Sequence, residues 1–526
     1  MEVPLLITDF LDRAVRLYPD KTACVDGERR FSYRDLDERV DRLSNALRDL
    51  GLSAGDRVCM LSPNSHFYLE SFYATARIGL VLVPLNYRLT AADHEYILNH
   101  AGVSAVLVDW EYTNVVDEIR DRLPNVKHWV VAQDEGNPAE GWVSWNALVE
   151  KASAEKPRIP GDIGENDIVS INYTSGTTSR PKGVMMTHRN LYLNAYNMIV
   201  HLSIRHDDVE LWTLPMFHCN GWGGVYALTA MAGTHVILRA IDGNAILQRI
   251  ADERITFACM APAVLRTILD TPDKGRFDIQ TRPRFTVAGA PPPAAFIERL
   301  EKELGWEFIQ LYGLTETAPL LTISRPDATT EAEDWARRSR AGVAGIGVDL
   351  KVLDEDGKPV AKDGGAVGEI CARSNVVFAG YYEQADQTAA AIYDGYFHTG
   401  DLAVWDEFEN IHIVDRKKDV IISGGENISS PEIEDCLYQH TAVLECAVIG
   451  IPHEKWGETP VALILTREGE STSEDELIAF CRENLAHFKC PSQIRFVEEL
   501  PRTATGKLQK YKLREAFWDG DRKVGG

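Results

Sequence analysis

The sequence has no long apolar run. Its 526 residues contain no stretch that could cross a bilayer as a helix, which needs about 20 mostly apolar residues. The beginning, Met1-Glu2-Val3-Pro4-Leu5-Leu6-Ile7-Thr8-Asp9, lacks the basic and apolar segments of a secretory signal, so no export is expected. Positive charge is scarce. Against 79 Asp and Glu stand 55 Lys and Arg, for a net charge of -24. A chain that acidic repels phosphate, which argues against nucleic acid and anionic membranes as partners. Cysteine is sparse as well, and the nine that occur form no Cys-x-x-Cys pair. An odd, scattered set predicts buried reduced thiols, no zinc, and the cytoplasm as the compartment. Internal repeats and low-complexity segments are missing. What remains is an ordinary globular mix, 45% hydrophobic and 25% charged. The chain is too long for one core, so two or more domains are expected.

One stretch organises the rest: Tyr173-Thr174-Ser175-Gly176-Thr177-Thr178-Ser179-Arg180-Pro181-Lys182-Gly183. It follows the mostly apolar Ile168-Val169-Ser170-Ile171-Asn172, so a buried strand feeds a loop rich in hydroxyls and small residues. Small residues let backbone N–H groups approach an anion, and hydroxyls and a lysine add donors and charge. A Walker A loop is excluded, because Lys182 precedes Gly183 and Val184 follows, whereas that motif ends in Gly-Lys-Ser/Thr. The loop reads as a nucleotide-phosphate loop of another type. Taken alone, it also fits a polar surface turn.

Along the chain, Leu36, Val40, Leu43 and Leu47 share one helix face behind a Ser32 cap. Strands at Arg57–Leu61 and Leu80–Leu85 flank a helix from Phe67 to Ile78, the rhythm of a parallel sheet with helices on its faces. After the loop, Thr187 caps a helix from His188 to about His201. A strand then runs to Pro215 and opens into Met216-Phe217-His218-Cys219-Asn220-Gly221-Trp222-Gly223-Gly224. His218 has no ligand-spaced neighbours for a metal, and an ordinary polar residue at a strand end is its plain alternative. Farther on, Arg284–Ala288, a helix from Ala294 to Leu304, and Trp306–Leu311 form a βαβ unit. Its turns, Gly289-Ala290-Pro291 and Tyr312-Gly313, should face one crevice at the carboxyl edge of the sheet. Bare backbone suits a flat ring, and Tyr312 offers a stacking face. Glu316 is a candidate for holding Mg²⁺, or a solvated acid at a helix start. Residues 341–417 read as antiparallel strands, and a compact α+β unit follows the Asp415-Arg416-Lys417-Lys418-Asp419 cluster.

These motifs, in this order and with Thr399-Gly400-Asp401, Asp415-Arg416 and Gly506-Lys507, resemble those of adenylate-forming enzymes. That superfamily holds acyl-CoA synthetases, peptide-synthetase adenylation domains and beetle luciferases. The resemblance covers essentially the whole chain. It departs at Ser179, where the family's loop often has Gly. The implied fold is α/β: a large N-terminal domain (1–417) of parallel αβ sheets with a small antiparallel barrel-like part, and a small mobile α+β domain (418–526) hinged at Lys418. By resemblance, Thr174, Ser175, Gly176, Thr177, Thr178 and Lys182 hold the β- and γ-phosphates of ATP. Thr177 and Glu316 orient Mg²⁺. Gly289, Ala290, Pro291 and Tyr312 sandwich adenine, with Gln310, Gly313 and Thr315 beside them. Asp401 binds the ribose and Arg416 the ribose or phosphate. Lys507 neutralises charge between substrate carboxylate and α-phosphate, and Glu316 and His218 are its catalytic companions. Swinging the small domain brings Ser423, Gly424, Gly425 and Glu426 over the site for CoA.

The Phe217–Trp222 stretch is similar to that of short- and medium-chain acyl-CoA ligases, including methylmercaptopropionate-CoA ligases. It implies an acyl pocket lined by His218, Asn220, Gly221, Trp222, Gly289 and Gly313, with Trp222 limiting chain length and His218 gating between steps. An amino acid substrate would want an acid for its ammonium, and none occurs between Met216 and Gly224. The expected function is ATP-dependent joining of a fatty or other carboxylic acid to CoA. Adenylation of an aryl or other acid without CoA is the alternative, and a silent acyl- or nucleotide-binding relative is the other. The ending Lys523-Val524-Gly525-Gly526 is not a peroxisomal address, and no carrier domain is expected after Lys510. Relatives commonly form homodimers.

Overall fold

The computed structural model describes residues 1–518 apart from 134–135, 137, 159–160, 162, 175–179, 290–291, 293, 328–329, 418, 424–425, 454 and 503–507, and apart from the side chains of 426 and 427. Two large sheets carry the chain to about residue 345. The first has eight strands. Five of them are mutually parallel: Val81–Leu85, Arg57–Leu61, Val103–Asp109, His128–Ala132 and Val143–Ser144. Ile168–Thr174 lies parallel beside Val81–Leu85 and turns back through Lys182–Thr187 as an antiparallel hairpin. The second sheet has nine strands. Its parallel centre runs Glu307–Gly313, Arg284–Val287, Phe257–Met260, Val209–Trp212, Thr234–Ile237, Thr22–Asp26.

Helices fill the space between these sheets. Leu36, Val40, Leu43 and Leu47 of helix Tyr33–Asp49 are buried in the main core, and Ser32 closes a capping box with Asp35. Helix His188–His201 begins with a capping box between Thr187 and Asn190. Such caps satisfy N–H groups that the first turn leaves without partners. One charge is fully enclosed. Arg77 is 0% exposed and bonds Asp12 at 2.9 Å, Asp37 at 2.8 Å and Asp41 at 2.6 Å. Three carboxylates around one guanidinium offset the cost of burying it.

An antiparallel five-stranded sheet follows, with Val348–Leu353, Gly368–Ser374, Tyr396–Trp405, Ile392–Tyr393 and Ile411–Arg416. The last sheet holds Ile421–Ser423, Glu426–Ile428, Val443–His453, Gly457–Thr466 and Gln493–Phe496, packed on helices Ser430–Tyr438 and Glu474–Asn484. This is the expected α/β architecture. Among the described residues no helix is long and apolar enough to cross a membrane.

Two local readings change. The strand expected to reach Pro215 ends at Trp212. Asn64 is the reason: its Nδ2 donates to the carbonyls of Trp212 and Leu214, both at 2.9 Å, and its Oδ1 accepts from Met216 N at 2.7 Å. A side chain replaces the ladder there. Tyr312-Gly313, read as a turn, is still strand, because Leu320–Ser324 pairs antiparallel with it.

Candidate active site

The loop 175–179 joins the two hairpin strands, with Thr174 opposite Lys182. The expected phosphate loop is therefore a hairpin tip, not the strand-to-helix link of a Walker A site. Ser175, Gly176, Thr177 and Thr178 lie outside the described residues. Lys182 is described. Its Nζ sits 4.7 Å from the Tyr381 ring centroid and donates to Gln387 Oε1 at 2.9 Å. Tyr381 in turn donates its hydroxyl to Glu316 Oε1 at 2.9 Å. Burial and the Glu316 charge push the Tyr381 pKa far up, so this donor stays protonated. Tyr381 thus ties the loop lysine to the candidate metal-holding acid. The sequence reading missed it, for it lies far along the chain with only a neutral Gly-Tyr-Tyr around it.

A second chain of contacts lies on the nucleoside side. Arg284–Val287 and Glu307–Gly313 are adjacent and parallel, with Val287 beside Gln310, so the two βα-turn positions share one edge as read. Gly289 has φ +89°, and a Cβ there would meet nothing within 4 Å. Ala290 and Pro291 lie outside the described residues. Tyr312 donates to Asp401 Oδ2 at 2.8 Å, and Arg416 Nε meets Asp401 Oδ1 at 2.5 Å. Asp401 and Arg416 are direct cross-strand partners. Burial opposes the Arg416 charge, but Asp401, Tyr312 and Glu316 outweigh it and hold its pKa above the ordinary value. Gln310 Oε1 is buried without a hydrogen-bond partner. Thr315 opens the short turn Thr315–Thr317 that carries Glu316.

Gly313 is glycine for a different reason from the one expected. A Cβ there would stand 1.6 Å from the Pro319 carbonyl oxygen, so protein backbone occupies that direction. We expect Gly313→Ala to destabilise the fold by roughly 3 kcal/mol, read as a lower midpoint of thermal unfolding. An unchanged midpoint would refute the packing account.

The turn after His218 is unusual. Cys219, Asn220, Gly221, Trp222 and Gly223 have φ of 48°, 54°, 59°, 56° and 74°. Left-handed backbone costs about 1–2 kcal/mol for each residue with a Cβ, so the surroundings must hold this turn. They do so at Asn220, which is 0% exposed. Its Nδ2 donates to Ser170 Oγ at 2.9 Å, and its Oδ1 accepts from Asn172 at 3.2 Å. Ser170 and Asn172 belong to strand Ile168–Thr174, which leads to the candidate phosphate loop. Asn220, read as pocket lining, thus spends its amide on a brace between the two regions. Glycines allow the rest. A Cβ on Gly221 would reach 2.5 Å from Trp212, and one on Gly223 2.2 Å from Asn194. His218 is half-buried and Trp222 is buried in the main core.

An AMP-binding enzyme model matches residues 11–382. The chain belongs to this family. Its C-terminal domain model matches residues 432–507. Among the family's curated members, the chain is 38% identical to 4-hydroxybutyrate–CoA ligase 2 of Metallosphaera sedula, over 97% of this chain and 94% of that one. It is 37% identical to a long-chain-fatty-acid–CoA ligase of Thermus thermophilus, over 98% and 96%. The crystal structure of the anthranilate CoA ligase AuaEII in complex with anthranoyl-AMP matches with a TM-score of 0.90 at 27% identity, over 98% of both chains.

In this family member the last strand of the antiparallel sheet leads into the C-terminal sheet, and both sides of that passage are tied down. Asp415 Oδ2 accepts from Ser430 Oγ at 2.5 Å, Arg514 meets Asp419 at 2.5 Å, and Lys510 bonds Ser430 at 2.5 Å and Glu434 at 2.8 Å. Lys418, Gly424, Gly425 and Lys507 lie outside the described residues, as does the Glu426 side chain. Ser423 pairs with Glu426 and Gly457. One further tie crosses from the nine-stranded sheet. Arg266, on helix Pro262–Asp270, donates to Leu444 O at 3.1 Å and pairs with Glu445. Glu445 also holds Arg502 at 2.8 Å, and Arg502 bridges to Leu508. Sequence reading had no signal for this tie, since its three residues are scattered and each looks like a surface charge.

Proposed function

We propose that this AMP-forming acid–thiol ligase joins a short- or medium-chain carboxylic acid to CoA through an acyl-adenylate. The observation that carries the reading is the linked set Lys182–Tyr381–Glu316 and Tyr312–Asp401–Arg416. It lines a hairpin end and an adjacent sheet edge with one cation, one acid and one acid–guanidinium pair whose acid is buried and whose guanidinium is partly exposed. Thr174–Thr178 and Lys182 grip the distal phosphates. Tyr312 and the Gly289–Pro291 turn take adenine, with Gln310 and Thr315 near by. Asp401 takes the ribose hydroxyls and Arg416 the sugar or phosphate. Glu316 is a hard oxygen donor. Mg²⁺ would take such a carboxylate and share its other positions with phosphate and water.

A carboxylate is already nucleophilic at neutral pH, so adenylation needs no general base. It needs charge neutralised between two anions and in-line placement at the α-phosphate. Lys507 supplies the charge. Thiol attack on the adenylate needs other geometry, which rotation of residues 418–526 about Lys418 provides by bringing Ser423–Glu426 over the site. Trp222 and the left-handed turn behind His218 close the acyl pocket and limit chain length. The compartment is a reducing one, in keeping with nine free and buried cysteines.

The test is pyrophosphate release with ATP and Mg²⁺ across straight-chain acids and benzoate, with and without CoA. Release that needs a short or medium acid and yields acyl-CoA supports the reading. Release without acyl-CoA gives an adenylating enzyme, and ATP binding without release gives a silent relative. The tie at Arg266 yields a finer expectation. Arg266→Ala should slow adenylate formation about tenfold, the size of a modest interfacial charge pair. Thioester formation from supplied acyl-adenylate should stay within about twofold. Equal loss in both steps would show that Arg266 does not choose between domain positions.

A further inference from the structure

Beneath the left-handed turn lies a carboxyl group that nothing in the scheme above uses. Glu210, on strand Val209–Trp212, is 1% exposed, and its Oε2 has no hydrogen-bond partner. Its neighbour Asp208 is the opposite case, with Arg284 at 2.7 Å and Thr256 at 2.7 Å. A buried polar atom without a partner is costly, and a glutamate is hard to place in a core without a use for it.

The surroundings say which way it faces. Glu210 and Trp212 point to the same side of the sheet. A Cβ on Gly224 would lie 3.6 Å from Glu210 Oε1 and 3.5 Å from Trp212 Cη2, and one on Gly221 would strike the same indole. The carboxyl therefore sits directly under the turn that follows His218. Across the sheet, Glu210 is in register with Phe257, and Cys259, two residues on, with Thr286. The Thr286 hydroxyl is also buried, with only the Cys259 thiol beside it. Glu210 Oε2 thus stands unused on a face of the sheet that also carries this hydroxyl. Burial first, and the charge of Asp208 second, raise the Glu210 pKa well above the ordinary carboxylate value. That shift favours the protonated, hydrogen-bond-donating form over the anion.

Resting on the ligase reading, we propose that Glu210 forms the polar floor of the acyl pocket and selects short carboxylic acids with a hydroxyl at the far end. The protonated carboxyl donates to the substrate hydroxyl oxygen, and the hydroxyl proton finds the Glu210 carbonyl or Thr286. Glu210 lies two residues before the end of its strand, about 7 Å at ~3.3 Å per residue. An ammonium would want an anion here, and the burial of Glu210 disfavours one.

The test compares kcat/KM for butyrate, 4-hydroxybutyrate and 4-aminobutyrate, and for hexanoate and 6-hydroxyhexanoate, in wild type, Glu210→Gln and Glu210→Leu. Wild type should favour a hydroxylated acid over its parent by about 10⁴-fold, as sites built around a hydroxyl do. Glu210→Gln keeps a donor and an acceptor and should retain most of the preference. Glu210→Leu should abolish it or reverse it, with no drop in thermal stability, since an apolar group replaces an unpaired polar one. A wild type that favours butyrate and hexanoate, or the amino acid, overturns the proposal without any variant. So does a hydroxyl preference that survives in Glu210→Leu. Should acyl-CoA form only from unsubstituted acids, this proposal fails and the ligase stands. Should no acid release pyrophosphate, the ligase reading itself fails.

Discussion

Lys507→Ala is expected to cut adenylate formation by about 10³-fold, the upper range for losing one preorganised charge at a reacting centre. A substrate carboxylate must approach an α-phosphate that is itself anionic, and like charges at contact repel strongly in a water-poor site. The nucleophile needs no deprotonation, so no base can compensate for the missing cation. Lys507→Arg should recover little, because a planar guanidinium cannot sit as a point charge between two oxygens. Thioester formation from supplied acyl-adenylate has no such charge to neutralise, and under the proposed rotation Lys507 is away from the site in that step. Its rate should stay within about twofold of wild type. The check is pyrophosphate exchange against single-turnover thioester formation. Equal loss in both would mean that Lys507 holds the fold or serves both steps.

Much of the fold was written in periodicity. The face Leu36, Val40, Leu43, Leu47 behind Ser32, and the Thr187 cap, emerge in the structure as read, because caps and helical spacing are local properties. The βαβ unit carrying Gly289 and Tyr312 was legible for the same reason, and right-handed crossover fixed which edge its turns share. What escaped was set by tertiary contact. Nothing near Tyr381 in sequence points to Glu316, 65 residues away. The Tyr312-Gly313 turn became strand because a later segment folds back on it. The hairpin nature of the phosphate loop depends on Lys182–Thr187 pairing with Ile168–Thr174, which no periodicity announces. The left-handed run at 219–223 was read only as the segment that a strand opens into. Its two glycines hinted at positive φ, but Cys219 and Trp222 there break local preference, and only the Asn220 brace explains how the turn is held. Departures of this kind concentrate where a protein recognises its ligand.

Asp401→Ala is expected to cost about 1–3 kcal/mol of stability and about 10²-fold in kcat/KM for ATP. Asp401 is 3% exposed and carries two partners, Tyr312 at 2.8 Å and Arg416 at 2.5 Å. Removing Asp401 leaves the buried Tyr312 hydroxyl without its acceptor and the partly exposed Arg416 without its counter-charge, and that sets the stability term. The ATP term has a separate origin. Two ribose hydroxyl bonds to a charged acceptor contribute about 1.5–3 kcal/mol each at most, and Arg416 loses the partner that aims it. Asp401→Asn separates the two effects. An amide keeps the Tyr312 contact and the shape, so most stability should return, while the charge that Arg416 and the ribose need does not. Thermal unfolding with and without ATP reads both terms at once, because a ligand raises the midpoint only in proportion to its affinity for the folded state. For Asp401→Asn the midpoint without ATP should approach wild type, and the rise on adding ATP should shrink sharply. If the full ATP-dependent rise persists, Asp401 holds Tyr312 and Arg416 together but does not meet the nucleotide.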